Sequence, residues 1–144
     1  MSFFFQPTTK KRTGRKKSSS LTWQKDEAIQ EEMSRIVNSL GLSYINEKRV
    51  FCYRTSGSKA RAYARIWSFP KIFQDVLDIE PAYVMEIISE KFDKLDKANR
   101  KKVIIHELLH IPKNFSGSLL PHKYGNTKID KEVEVLFKKY MKSK

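Results

Sequence analysis

The stretch D-K-A-N-R-K-K-V-I-I-H-E-L-L-H-I-P, residues 96–112, reads as one helix with two different faces. Asp96 suits the N-cap, and Pro112 ends the helix because proline cannot continue the hydrogen-bond ladder. Ile104, Ile105, Leu108 and Leu109 fall on an apolar face that predicts core. Asn99, Arg100, Val103, His106, Glu107 and His110 fall on the other, which taken alone is compatible with a plain solvated surface. Three features argue for chemistry instead. Residues four apart on a helix stack, so His106 and His110 can grip one ion. Glu107 stands directly after the first histidine, where a general base is needed. His122 follows the proline break by ten residues, and the chain has no other histidine.

Three neutral imidazoles with one open position suit Zn²⁺, one per chain, better than Mg²⁺ or Ca²⁺, which prefer oxygen ligands. Zinc lowers the pKa of water to roughly 7 and polarises a carbonyl. Glu107 would take the proton from that water and pass it to a leaving amine, which makes peptide hydrolysis the natural reaction. Glu132 and Glu134, on a later helix, are alternative third ligands, but that helix needs its apolar face for packing, and His122 is the simpler choice. Asp130, Glu132 or Glu134 remain candidates to accept the free N–H of a ligand imidazole. Tyr124 is a candidate oxyanion stabiliser, with a packing role as the alternative.

Outward from this segment, the reading is an α+β domain. A first helix is expected from about Thr22, as N-cap, to Leu40, with Ile29, Met33, Ile36, Val37 and Leu40 on its buried face. Lys48–Thr55 and Lys59–Phe69 are strand-like runs around Ser56-Gly57-Ser58 and predict a β-hairpin. Pro70 opens a short helix to about Leu77, Ala82–Ser89 reads as a buried strand, and residues 112–125 as an irregular loop. A last amphipathic helix is expected over Thr127–Met141.

The chain has 144 residues, enough for one domain and not two, with 29 Lys+Arg against 16 Asp+Glu and a formal net charge of +13. Residues 1–20 contribute six positive charges (Lys10, Lys11, Arg12, Arg15, Lys16 and Lys17) and no acid. They predict a disordered basic arm ahead of a domain at 21–144. The arm reads either as a solubilising terminus or as a contact to DNA or RNA. In the second strand run Lys59, Arg61, Tyr63, Arg65 and Trp67 alternate with Ala60, Ala62, Ala64 and Ile66. That strip is either a solvated hairpin face or a track for a phosphate backbone. A single cysteine, Cys52, excludes an internal disulfide framework and a cysteine-based zinc ribbon, and its apolar neighbours predict a buried, inert thiol. No apolar run is long enough to span a bilayer, and Phe3–Phe5 precede the basic cluster where a signal peptide would start with charge. The expectation is a cytoplasmic protein without a membrane partner.

V-I-I-H-E-L-L-H-I-P-K-N-F-S-G-S-L-L-P-H-K-Y-G, residues 103–125, resembles a metallopeptidase family of archaea, bacteria and phages, which shares the H-E-L-L-H-I-P, a small-residue loop and a P-H. Ala60–Phe73 is similar to that family's upstream segment, so the likeness covers about residues 42–125. More distantly the layout is similar to SprT-like zincins, some of which degrade proteins cross-linked to DNA. The resemblance implies a minimal zincin-like domain, with a small antiparallel or mixed sheet packed on an N-terminal helix and a metal-bearing helix. It also implies His106, His110 and His122 as ligands, Glu107 as base and a protein or peptide substrate. Lys113 stands where metzincins carry glycine, and Lys123 where SprT-like proteins often do. Zincins commonly take substrate as an added strand on a sheet edge, for which Lys48–Thr55 or Ala82–Ser89 are candidates. Two other functions fit less of the chain. A metal-dependent endoribonuclease would place its third histidine six residues after the second and lack Glu107. A nucleic-acid-binding protein with a structural metal has only the basic residues in its favour.

Overall fold

The computed structural model describes residues 20–124 and 127–144. A four-stranded sheet forms from β1 (Thr22–Lys25), β2 (Val50–Ser56), β3 (Ala64–Ser68) and β4 (Tyr83–Ile88), in the spatial order β1-β2-β4-β3. The helices are α1 (Glu27–Ser39), α2 (Lys71–Leu77), α3 (Ser89–Phe92), α4 (Lys97–Leu109) and α5 (Ile129–Lys142). A two-stranded ribbon, β5 (Lys123–Tyr124) with β6 (Thr127–Lys128), leads into α5. The domain is α+β, as expected, with a mixed sheet packed on α1 and α4.

Two parts of the expected topology are corrected. The first helix does not begin at Thr22. Residues 22–25 pair antiparallel with Ser56–Tyr53 of β2, and the helix starts only after Asp26, whose carboxylate accepts from the Ile29 N–H at 3.0 Å. An aspartate cap of this kind contributes about 1 kcal/mol, and Thr22 has no comparable role. Where β1 gives way to α1, Gln30 takes over the ladder: its amide donates to the Val50 carbonyl at 2.8 Å and accepts from the Cys52 N–H at 2.9 Å. Arg54 ties the same corner to the end of α3, pairing with Asp26 at 2.8 Å and Asp93 at 2.7 Å.

The second correction concerns the hairpin. β2 and β3 do not pair; β4 inserts between them, parallel to β2 and antiparallel to β3. The sequence of β4, Y-V-M-E-I-I, explains this, because five of its six residues are buried and a strand apolar on both faces belongs in the middle of a sheet. Lys48–Thr55 and Ala82–Ser89 therefore supply inner strands, not the substrate edge; the edge beside α4 is β3. β3 is also shorter than the expected run, so Lys59 and Arg61 lie in the connecting segment and share no strand face with Arg65 and Trp67.

One face of the sheet carries the core. Val50, Cys52, Tyr83, Met85 and Ile87 pack with Met33, Ile36, Ile104, Ile105, Leu108, Ile129 and Tyr140 from the helices. The Cys52 thiol is buried and pushed up to about 12, which makes it the inert side chain expected. Among the described residues, no helix is long and apolar enough to cross a membrane.

The loop after α4 is anchored to this core at Gly117, which has φ +91° and whose N–H donates to the Tyr83 hydroxyl at 2.9 Å. That hydroxyl in turn donates to the Ser118 carbonyl at 2.8 Å. A Cβ at residue 117 would stand 2.6 Å from the Phe69 carbonyl oxygen and meet the Gln74 amide, whereas one at Gly41 would meet nothing within 4 Å. Gly117→Ala is therefore expected to destabilise by about 2–4 kcal/mol, since a clash adds to the left-handed backbone strain. Gly41→Ala should cost about 1–2 kcal/mol from backbone strain alone. Urea denaturation of the two variants against the parent measures the difference.

Candidate metal centre

α4 delivers the site as its sequence dictates. Asp96 caps it, accepting from the Asn99 N–H at 2.8 Å, and its apolar face is buried against the sheet. The opposite stripe is not a plain solvated face, because Glu107 and His110 are each only 8% exposed. The helix ends at Leu109, with His110 as its cap, and the chain then turns back on itself. Leu120 makes two bonds to one residue: its N–H donates to the His110 carbonyl at 2.7 Å, and its carbonyl lies 2.6 Å from His110 Nδ1. A carbonyl can only accept, so Nδ1 carries the proton and the lone pair of His110 sits on Nε2.

His106 is oriented in the same way. Its Nδ1 lies 3.3 Å from an oxygen of Asp130, the first acid of α5, which leaves Nε2 as the free lone pair. The two Nε2 atoms then face each other at 3.3 Å. Two lone pairs at that distance repel unless a cation lies between them. A tetrahedral ion with bonds of about 2.0–2.1 Å sets its ligand nitrogens about 3.3–3.4 Å apart. His122 completes the group, with ring centroids 5.1 Å from His106 and 4.6 Å from His110 and all three ligand atoms within 4.8 Å of one another. The backbone holds it there through the Ile129 N–H, which donates to the His122 carbonyl at 3.1 Å. The residues present thus fit a metal with nitrogen ligands.

Burial lowers the pKa of His106 and His110 below the ordinary imidazole value. The other imidazoles of the cluster add to this, so both rings are neutral, as ligands must be. Glu107 shares the wall of one cleft with His106 and His122 and meets the Ile66 N–H of β3. Burial pushes its carboxyl up to about 7, with the Ile66 N–H pulling weakly the other way. Beside the histidines a cleft of about 530 Å³ opens between β3 and the pair α4 and α5, with Ala62, Tyr63, Glu107, His122 and Asp130 in its wall.

The other residues singled out in the sequence stand apart from the trio to different degrees. Glu134 lines the cleft but pairs with Lys102 at 3.0 Å, and among the described residues neither it nor Glu132 joins the group of potential metal ligands. Of the three acids considered as supports, Asp130 is the one that meets an imidazole. Arg65 lies on the far face of the sheet, 3.2 Å from Glu86 and over the Trp67 ring. Lys59 and Arg61 are exposed and are not among the residues lining the cleft. The Tyr124 side chain and Lys10, Lys11, Arg12, Arg15, Lys16 and Lys17 lie outside the described residues. Sequence reasoning missed the Leu120 carbonyl and the Tyr83 hydroxyl; the first carries no side-chain signal and the second reads only as a strand residue.

An α+β domain with a histidine trio and an adjacent buried carboxylate belongs, by its site, among metal-dependent proteins. The chain is a member of the family described as "Putative phage metallopeptidase", whose model matches residues 21–138. Membership implies a metal ion and a protein or peptide substrate. No curated protein and no solved structure matches it.

Two outcomes follow from this geometry. Asp130→Asn should weaken metal binding by about 10–100-fold, because the His106 tautomer loses its carboxylate support; competition against a chromophoric chelator reads this directly. Glu107 has a folded-state pKa above its unfolded value, so its charge costs stability above pH 7 and nothing below about pH 4.5, where it is protonated in both states. In chelator-treated protein, Glu107→Gln is expected to stabilise the fold by up to about 3 kcal/mol at pH 8, a gain that fades toward pH 4.5. Thermal denaturation at the two pH values tests the sign.

Proposed function

We propose that this chain is a zinc-dependent endopeptidase in which His106, His110 and His122 hold one ion and Glu107 is the general base. The observation that carries the reading is the 3.3 Å approach of two lone-pair nitrogens beside a buried carboxylate. Three neutral imidazoles favour zinc over the oxygen-seeking cations. Zinc bound there would supply a polarised carbonyl and a water acidic enough to ionise near neutral pH.

The protein groups supply the rest. Glu107, raised to about 7, sits where a base is most effective at neutral pH, able to take a proton from the attacking water and return it to the departing amine. Its burial between β3 and α4 keeps bulk water from competing for that proton. β3 is the sheet edge beside the cleft, so an extended peptide can add to it as a further strand and lay its scissile bond across the trio. The arrangement favours a SprT-like zincin. The positive charge of the domain and of the arm at Lys10–Lys17 favours substrates that sit on nucleic acid.

The test uses zinc-loaded protein with two substrates, an unstructured protein such as casein and a basic DNA-binding protein. Both should be cleaved, the second faster. Glu107→Gln is expected to slow cleavage by about 10²–10⁴-fold while one zinc per chain stays bound. Equal rates in parent and variant would remove Glu107 from the mechanism, and metal binding without hydrolysis of either substrate would make the centre structural.

A further inference from the structure

α2 is mounted the wrong way round for a helix that serves only the fold. Ile72, Phe73, Val76 and Leu77 make one apolar stripe along it, and a helix of this pattern normally turns such a stripe toward the core. Here the stripe faces water: Ile72 is 67% exposed, Phe73 55%, Val76 73% and Leu77 62%. The half-buried residue of α2 is polar Gln74, and every other position is exposed. The Gln74 amide donates to the Phe69 carbonyl at 2.7 Å and to the Ser116 carbonyl at 3.1 Å. The helix is thus tied down by its amide and presents four large apolar side chains outward. A patch of that kind marks a contact surface.

Charge and position identify what covers it. Residues 71–80 hold Asp75, Asp78 and Glu80 against Lys71, on a chain whose formal net charge is +13. None of these three carboxylates forms an ion pair with a described residue. Arg49 reaches the stretch, but it donates to the Glu80 and Pro81 carbonyls. Asp75 and Asp78 stand at the C-terminal end of α2, where the helix carbonyls already present negative charge and the last turn carries no cation. The apolar stripe therefore lies beside unneutralised negative charge. Nucleic acid and anionic lipid are repelled by it, and a two-fold pairing with a second copy would set the acids against themselves. A basic polypeptide segment with apolar side chains matches both features.

Position ties that segment to the cleft. β3 is the sheet edge beside the histidines and ends at Ser68, and α2 begins at Lys71. Ser116, which Gln74 holds, belongs to the loop that carries His122. A peptide added along β3 would therefore leave that edge at α2. We infer that α2 is a docking site for the protein substrate. It takes a basic segment whose apolar side chains cover the stripe and whose cations meet Asp75, Asp78 and Glu80. Calling the segment substrate rests on the peptidase reading, whereas the docking itself needs no hydrolysis.

The test is fluorescence anisotropy of a labelled lysine–leucine peptide titrated with zinc-loaded full-length chain carrying Glu107→Gln, so that the peptide stays intact. Binding should weaken as salt rises. Adding Phe73→Ser with Val76→Ser should weaken it about tenfold. Asp75→Lys with Glu80→Lys should weaken it to a similar degree and flatten the salt dependence. All four side chains are exposed, so the fold is expected to tolerate both pairs. A glutamate–leucine peptide should bind more weakly than the lysine one. The inference is overturned if both pairs bind like the parent, if the glutamate peptide binds as tightly, or if anionic vesicles bind and the lysine peptide does not. It is also overturned if the parent sediments as a dimer that Phe73→Ser with Val76→Ser dissociates, since the stripe then belongs to a second copy. With Glu107 intact, the α2 pairs should raise KM for a basic protein more than they lower kcat. If the parent cuts nothing while binding keeps this pattern, the peptidase reading fails and the docking site stands. If parent and α2 pairs cut the basic protein with equal kcat/KM, the docking site fails and the peptidase reading stands.

Discussion

The centre depends on a pair of hydrogen bonds between His110 and Leu120. One joins backbone to backbone and the other joins the ring to the same residue's carbonyl, so a single loop position fixes both the path of the chain and the tautomer of His110. Without that bracket, α4 would present two stacked histidines and a loop free to wander. With it, the chain must return over the end of the helix and deliver His122 two residues later. Tyr83 and Gly117 hold the outer turn of the same loop against the central strand, so the third imidazole is registered to the core of the sheet.

The site also carries a cost that the fold absorbs. Glu107 is placed where its charge is poorly solvated, and two lone pairs are aimed at one point. Both arrangements are unfavourable in the isolated fold and become favourable only around a cation. This is the usual signature of a site arranged for chemistry, where local stability is given up for a poised group. The rest of α4 offsets it: Ile104, Ile105 and Leu108 are fully buried, and Asp96 caps the helix start.

The histidine-bearing helix was legible because its signals are local. A capping aspartate, an apolar stripe and a proline stop all act within one segment, and the observed helix follows them to within a residue or so. Trp23 shows the opposite case. Residues 22–25 sit just ahead of a good helical stripe and read as its first turn, yet a non-local partner, β2, claims them as a strand. The misread hairpin has the same cause. Ser56-Gly57-Ser58 is a credible turn, but β4, more apolar than either neighbour, takes the central place and separates β2 from β3. At the site, the side chains that could be ligands were readable by type and spacing. The groups that orient them were readable only in part: Asp130 was one of three acids in reach of the idea, and the Leu120 carbonyl has no side-chain identity to read.

The most direct measurement of the central claim is X-ray absorption at the zinc edge of the metal-loaded protein. The account predicts three imidazole nitrogens at about 2.0–2.1 Å with a fourth light-atom ligand, and loss of one imidazole contribution in His122→Ala. A spectrum with two imidazoles or fewer, or one that His122→Ala leaves unaltered, would contradict it.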